Sequence, residues 1–113
     1  MNGEKVIVVE GLSDKKRIEP LIAEPVVILC TNGTVSPTRL EELMAPYDGS
    51  ELFVFVDADK SGEKLRTLFK REYPEAMHLY TEPAYREVAT TPLRVLATVL
   101  MAANIDIHSE FFV

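Results

Sequence analysis

One cysteine, Cys30, is all the chain has, so no disulfide can form within it and a reducing cytoplasm is the expected compartment. Standing at the end of a β-branched run, Cys30 itself is expected to be a small buried hydrophobe. No apolar stretch approaches the ~20 residues of a membrane-spanning helix. The first apolar run, Val6 to Val9, stops at Glu10, too soon for a signal-peptide core, so no membrane association is expected. No Gly-x-Gly-x-x-Gly follows that run and no P-loop occurs, which excludes Rossmann dinucleotide binding and P-loop phosphate chemistry. Positive charge is short too: 12 Lys and Arg face 18 Asp and Glu, a net −6. That is the wrong sign for unaided, non-specific nucleic-acid binding. An acidic protein can still act on nucleic acid where its carboxylates hold divalent cations and its basic residues cluster. Internal repeats, low-complexity tracts and linkers are also lacking, and 113 residues are the length of one domain, expected here over 1–113.

What is present is an alternation. Val6-Ile7-Val8-Val9, Val26 to Cys30 and Leu52 to Val56 are continuous apolar runs, the pattern of strands buried on both faces. Met77 to Tyr80 is a fourth expected strand, and Glu82 to Glu87 an expected loop. Helical spacing runs from about Ser13 to Ala23 (Ile18, Leu21, Ile22), from Pro37 (Leu40, Leu43, Met44), from about Ser61 to Tyr73 (Leu65, Leu68, Phe69) and from Pro92 to Asn104. Asn32-Gly33-Thr34 is a turn signal. Strands alternating with helices predict an α/β fold, a three-layer Rossmann-like domain whose mainly parallel sheet is flanked by helices on both faces. In such sheets ligands bind beyond the carboxyl ends of the strands.

The residues there are acids. Glu10 follows the first run, and Asp57-Ala58-Asp59 follows the third. Were those strands neighbours, as in the order 2-1-3-4, three carboxylates would meet at one rim. Residues two apart in extended chain point the same way, so Asp57 and Asp59 can face one ion. Clustered carboxylates repel each other, and a bound cation relieves the repulsion. An oxygen-only donor set suits magnesium, with manganese as a substitute. Gly11 and Gly62 leave backbone accessible near helix starts, which suits a phosphate. Lys15 in the first helix and Lys60 at the start of the third are the basic residues placed to meet a phosphate backbone, amid Lys16, Arg17, Lys64 and Arg66. Each has a plainer reading: glycines make tight turns, lysines solvate a helix face, and Asp14 caps the first helix.

The stretches VIVVEGLSD (Val6 to Asp14) and VFVDADKSGEKLR (Val54 to Arg66) resemble the toprim domain. That domain is shared by bacterial primases, type IA and type II topoisomerases, overcoming-lysogenization-type nucleases, recombination-repair proteins and the maturase of 5S ribosomal RNA. Its pattern is Glu-Gly after the first strand and Asp-x-Asp after the third. The Asp57-Ala58-Asp59 motif with Ser61-Gly62-Glu63-Lys64 is most similar to the 5S maturase form. The resemblance implies the sheet order 2-1-3-4, Glu10 as general acid/base, and Asp57 and Asp59 as magnesium ligands together with Glu10. It implies phosphoryl transfer on nucleic acid, RNA or DNA. The topoisomerase form has an acid where this chain has Ser61, and no tyrosine-bearing breakage domain is expected, which puts topoisomerase activity aside. The primase's and the maturase's additional recognition parts are not expected either, so nucleic acid would be reached with a partner protein or another recognition element.

Two other readings compete. A non-catalytic toprim module could bind metal or nucleotide and dock a nucleic-acid enzyme. A receiver-like phosphoacceptor domain would share the alternation and Asp57, but no Lys-Pro occurs and Asp59 goes unexplained. Tyr85-Arg86 is expected to cover the core edge or touch a nucleotide. His78 and His108 carry no assigned role. The apolar tail from Glu110 to Val113 is expected to pack on the core or on a second subunit in a homodimer.

Overall fold

The structure is a computed structural model that describes residues 4–33, 35–81 and 84–112. Thr34, Glu82 and Val113, on which parts of the turn, loop and tail expectations fall, lie outside the described residues. The apolar runs form parallel strands: β1 (Lys5–Val9), β2 (Val27–Cys30), β3 (Glu51–Val54) and β4 (Met77–His78). Their order is β2-β1-β3-β4, as expected. Val6 pairs with Val27 on one side and Leu52 on the other, and Val54 pairs with His78. Hydrogen bonds from Phe55 N to Val8 O and from Leu79 N to Val54 O carry the pairing slightly past β3 and β4.

Alternation along the strands divides the core. Ile7, Val9, Phe53 and Phe55 pack with Ile18 of α1 (Leu12–Ile18) and with Leu96 and Leu100 of α4 (Leu93–Ala102). Val6, Val8, Val54 and Val56 face the other way, against Leu40 and Met44 of α2 (Pro37–Met44) and Leu65, Leu68 and Phe69 of α3 (Lys60–Glu72). Helices therefore cover both faces, and β1 is fully buried from Val6 to Val9. Each such side chain contributes about 1.5–3 kcal/mol relative to exposure, which is why the runs carry no polar alternation.

The first helix is shorter than its spacing suggests. It ends at Ile18, and a 3-10 turn (Glu19–Leu21) follows, because Pro20 has no N–H for a further α-helical bond. The chain then lies antiparallel to the tail: Ala23 N donates to Asp106 O, His108 N to Leu21 O, and Ile22 bridges Ile107. Lys5 Nζ bonds both Glu24 and Asn104 O. Phe111 packs against the core of its own chain, and Cys30 is half-buried against the same cluster. Asn32 (φ 60°) and Gly33 (φ 105°) confirm the turn after β2.

Candidate metal centre

The site is built at the carboxyl ends of β1 and β3. One carboxylate oxygen from each of Glu10, Asp57 and Asp59 lies within 4.8 Å of the others. Backbone amides set their positions. Glu10 Oε1 accepts from Asp57 N at 2.9 Å, Asp57 Oδ1 from Val88 N at 2.8 Å, and Asp59 Oδ1 from Gly62 N at 2.7 Å. Each acid thus spends one oxygen on a fixed N–H. No hydrogen bond among the described residues engages the second oxygen. Ligands on one octahedral magnesium ion stand about 3.0 Å (cis) to 4.2 Å (trans) apart, so acids within 4.8 Å of one another would draw together to ligate one ion directly. The all-oxygen donor set and the anchoring of every carboxylate fit a hard divalent cation.

Burial makes the cluster electrostatically costly. Asp57 is pushed up to about 6, first by desolvation and then by the charges of Asp14, Glu10 and Asp59, against the Val88 amide. Asp14 is itself almost fully buried, with Oδ2 accepting from Gly11 N at 3.0 Å and a further bond from the Ala89 amide. Desolvation, with the charge of Glu87, raises its pKa. Asp14 does cap α1, yet it is also a fourth acid felt by Asp57, which the sequence reading did not foresee. The segment that joins the two is the 3-10 turn Val88–Thr90, whose successive amides hold Asp57 and Asp14. Ala58 N donates to Arg86 O at 2.7 Å, bringing the loop after β4 alongside the site. That return has no local sequence signal.

The glycines differ in what they do. Gly62 lies inside the first turn of α3, and a Cβ there would stand 1.9 Å from the carbonyl oxygen of Asp57. Close packing of helix on strand end requires glycine at this position. Gly11 has extended backbone (φ −143°, ψ 174°), which any residue adopts, and a Cβ would meet only Asp14 Oδ2 at 3.9 Å. Gly11→Ala is expected to leave stability unchanged or up to about 1 kcal/mol higher, read from the urea-unfolding midpoint; a clear loss would mean that the fold itself needs glycine there. Neither amide is free for a phosphate, since Asp14 and Asp59 occupy them.

Of the basic residues, Lys15 is half-buried in α1 and Lys60 is exposed as the first residue of α3. Arg17 is turned elsewhere, its Nη2 donating to Thr91 O at 2.5 Å. Arg66 is 2% exposed, a buried structural clip and not part of a basic surface. Its Nη2 donates to Val56 O at 2.9 Å and Leu79 O at 2.7 Å, and its Nη1 to His78 Nδ1 at 3.2 Å. Burial and this cation lower the His78 pKa, keeping the ring neutral.

The chain is 51% identical over 108 residues to YusF, an uncharacterized protein of Bacillus subtilis (strain 168), covering 96% of this chain and 74% of YusF. A solved small TOPRIM domain protein from Bacillus stearothermophilus matches with a TM-score of 0.93 and 50% identity, over 100% of this chain and 96% of the other. The chain belongs to the small toprim-domain proteins. Membership in the small toprim family displaces the receiver reading. Ribonuclease M5 1 of Ligilactobacillus salivarius (strain UCC118) is 37% identical over 81 residues, 71% of this toprim chain but 43% of the ribonuclease. The small toprim chain therefore spans less than half of that relative. No protein-family model matches, and among the described residues no helix is long and apolar enough to cross a membrane.

Proposed function

We propose that this toprim domain acts on nucleic-acid phosphodiesters, with a divalent cation, magnesium or manganese, held by Asp57, Asp59 and Glu10. The observation that carries the reading is the triad of carboxylates within 4.8 Å, each fixed by its own backbone amide. The name of the ribonuclease relative favours RNA as substrate. When bound, the cation supplies charge neutralisation for the phosphoryl oxygens. Glu10 keeps Oε1 on the Asp57 amide, leaving Oε2 to exchange a proton with the attacking or leaving oxygen. Gly11, next in the chain, has no side chain to bar a phosphate, and Lys15 and Lys60 draw the polyanion towards the acids. A net charge of −6 points to a partner protein or further recognition element for substrate capture.

Calorimetric titration with manganese and magnesium tests the site. Asp57→Asn keeps an acceptor for Val88 N but removes a charge, and affinity is expected to fall about 10- to 100-fold. Unchanged affinity would remove Asp57 from the metal centre. The same variant reports the pH behaviour in chelator. Folded Asp57 titrates near 6, above its ordinary 3.8, so the folded state holds the extra proton and parent stability falls as pH rises from about 4 through about 6. Two units correspond to about 3 kcal/mol, and partial solvent screening reduces this to about 1–2 kcal/mol. Asp57→Asn is expected to match the parent near pH 4 and exceed it by that amount at pH 7.5, in urea unfolding. Equal stability at pH 7.5 would show that Asp57 carries no such strain.

A further inference from the structure

Beyond the acids, a groove of about 600 Å³ opens between the edge of the sheet and α4. The chain from Met77 to Thr81 forms one wall, and Val95, Thr98, Val99 and Ala102 of α4 form the other. We propose that this groove receives an unstacked base of a single-stranded nucleic acid, with Tyr80 as the stacking platform. The inference rests on the phosphodiester-acting reading and adds the form of the substrate, an unpaired nucleotide beside the phosphate at the acid cluster.

Tyr80, two residues past the edge strand β4, is 51% exposed. One side of its ring is taken by the Arg66 guanidinium, 3.9 Å from the ring centroid. Arg66 is immobilised by the carbonyls of Val56 and Leu79, so the cation under the ring is fixed before any ligand arrives. A ring backed by a buried cation and open to a groove is a preorganised surface for a base, with little rotamer entropy left to lose. The same two bonds locate it. One nitrogen of Arg66 ties Val56 O to Leu79 O, and the residues that follow are Asp57 and Tyr80. Adjacent strands run about 4.8 Å apart, so the platform begins one strand over from the metal-site carboxylate. A strand whose phosphate sits at the acids would carry its neighbouring base into the groove.

Charge fits the same occupant. The Arg66 guanidinium sets a fixed positive charge beneath Tyr80, which favours a ligand that carries phosphate. The apolar walls and the volume suit a single base with its sugar. Stacking is tolerant of base identity, so the groove would select single-stranded form over sequence.

The test is calorimetric titration, with calcium as the cation, of a hexa-adenylate RNA and an abasic ribose-phosphate strand of equal length. The parent is expected to prefer the base-bearing strand by about 5- to 100-fold. Tyr80→Leu should erase that preference while leaving abasic affinity unchanged, and Tyr80→Phe should keep it. Thr98→Phe, which fills the groove from α4, should erase it without touching Tyr80. Equal affinity of the parent for both strands, or an equal loss on both strands in Tyr80→Leu, overturns the proposal. So does a change in concentration-dependent association by Tyr80→Leu with strand binding intact, which would make the groove a protein-docking surface. Asp57-dependent manganese binding measured alongside separates the readings: if it persists where base preference is absent, only the groove assignment falls.

Discussion

Glu10→Gln is expected to slow manganese-dependent cleavage of nucleic acid by about a hundred- to ten-thousandfold while leaving cation affinity within about tenfold of the parent. The amide oxygen of glutamine can still accept from Asp57 N, so the bond that orders the ends of β1 and β3 survives. What is lost is the group able to give up and take back a proton. The measurement pairs initial cleavage rates, on whichever RNA or DNA the parent cuts, with manganese titration of both proteins. Rates equal to the parent would remove Glu10 from proton transfer. A loss of metal affinity matching the loss of rate would make Glu10 a ligand alone. Were the parent to bind metal and cut neither RNA nor DNA, the non-catalytic docking module would be the better account of the fold.

Gly62→Ala should damage stability and site together. The new methyl carbon would fall 1.9 Å from Asp57 O and 2.9 Å from its carbonyl carbon, both main-chain atoms of a core-flanking segment. Neither can swing away as the end of a long side chain could, so α3 or the Asp57 segment must move. Such overpacking costs about 1–3 kcal/mol, partly offset by about 1 kcal/mol gained from replacing glycine within a helix. Because the displaced atoms belong to Asp57, manganese affinity is expected to drop in the same variant, about tenfold or more. Urea unfolding and calorimetry read the two effects. A variant as stable as the parent, with unchanged affinity, would show that the helix start can retreat freely.

Much of this architecture was legible in the chain. Val6 to Val9 and Leu52 to Val56 are so uniformly apolar that only strands with helices on both faces can bury them, and acids directly after such strands must emerge at the ligand-binding edge. Glu10, Asp57 and Asp59 were found that way. The features that the sequence shows only in part share one cause: each depends on contacts made across long sequence separations. Arg66 reads as one more surface cation until the ends of β3 and β4 close around it. Asp14 reads as a helix cap until the turn at Val88–Thr90 returns and buries it beside Asp57. Gly62 reads as accessible backbone near a helix start, and the distance to the Asp57 carbonyl adds a packing requirement that the sequence does not show. Pro20 was a local signal, and it alone accounts for the early end of α1.

The antiparallel seam between the chain around Ile22 and the stretch around Ile107 ties early sequence to late sequence. Every strand pairing in the sheet is parallel and joins distant sequence, and Lys5 reaches Asn104 across 99 positions. Loop closure must come before such contacts return any energy, which makes for a slow search and little stable native-like structure in partial chains. The Glu10–Asp57 bond spans 47 positions and the Asp57–Val88 bond another 31, so the acids converge only when most of the polypeptide is in place. A nascent chain emerging from the ribosome would thus hold its carboxylates apart and solvated until the turn at Val88 has docked.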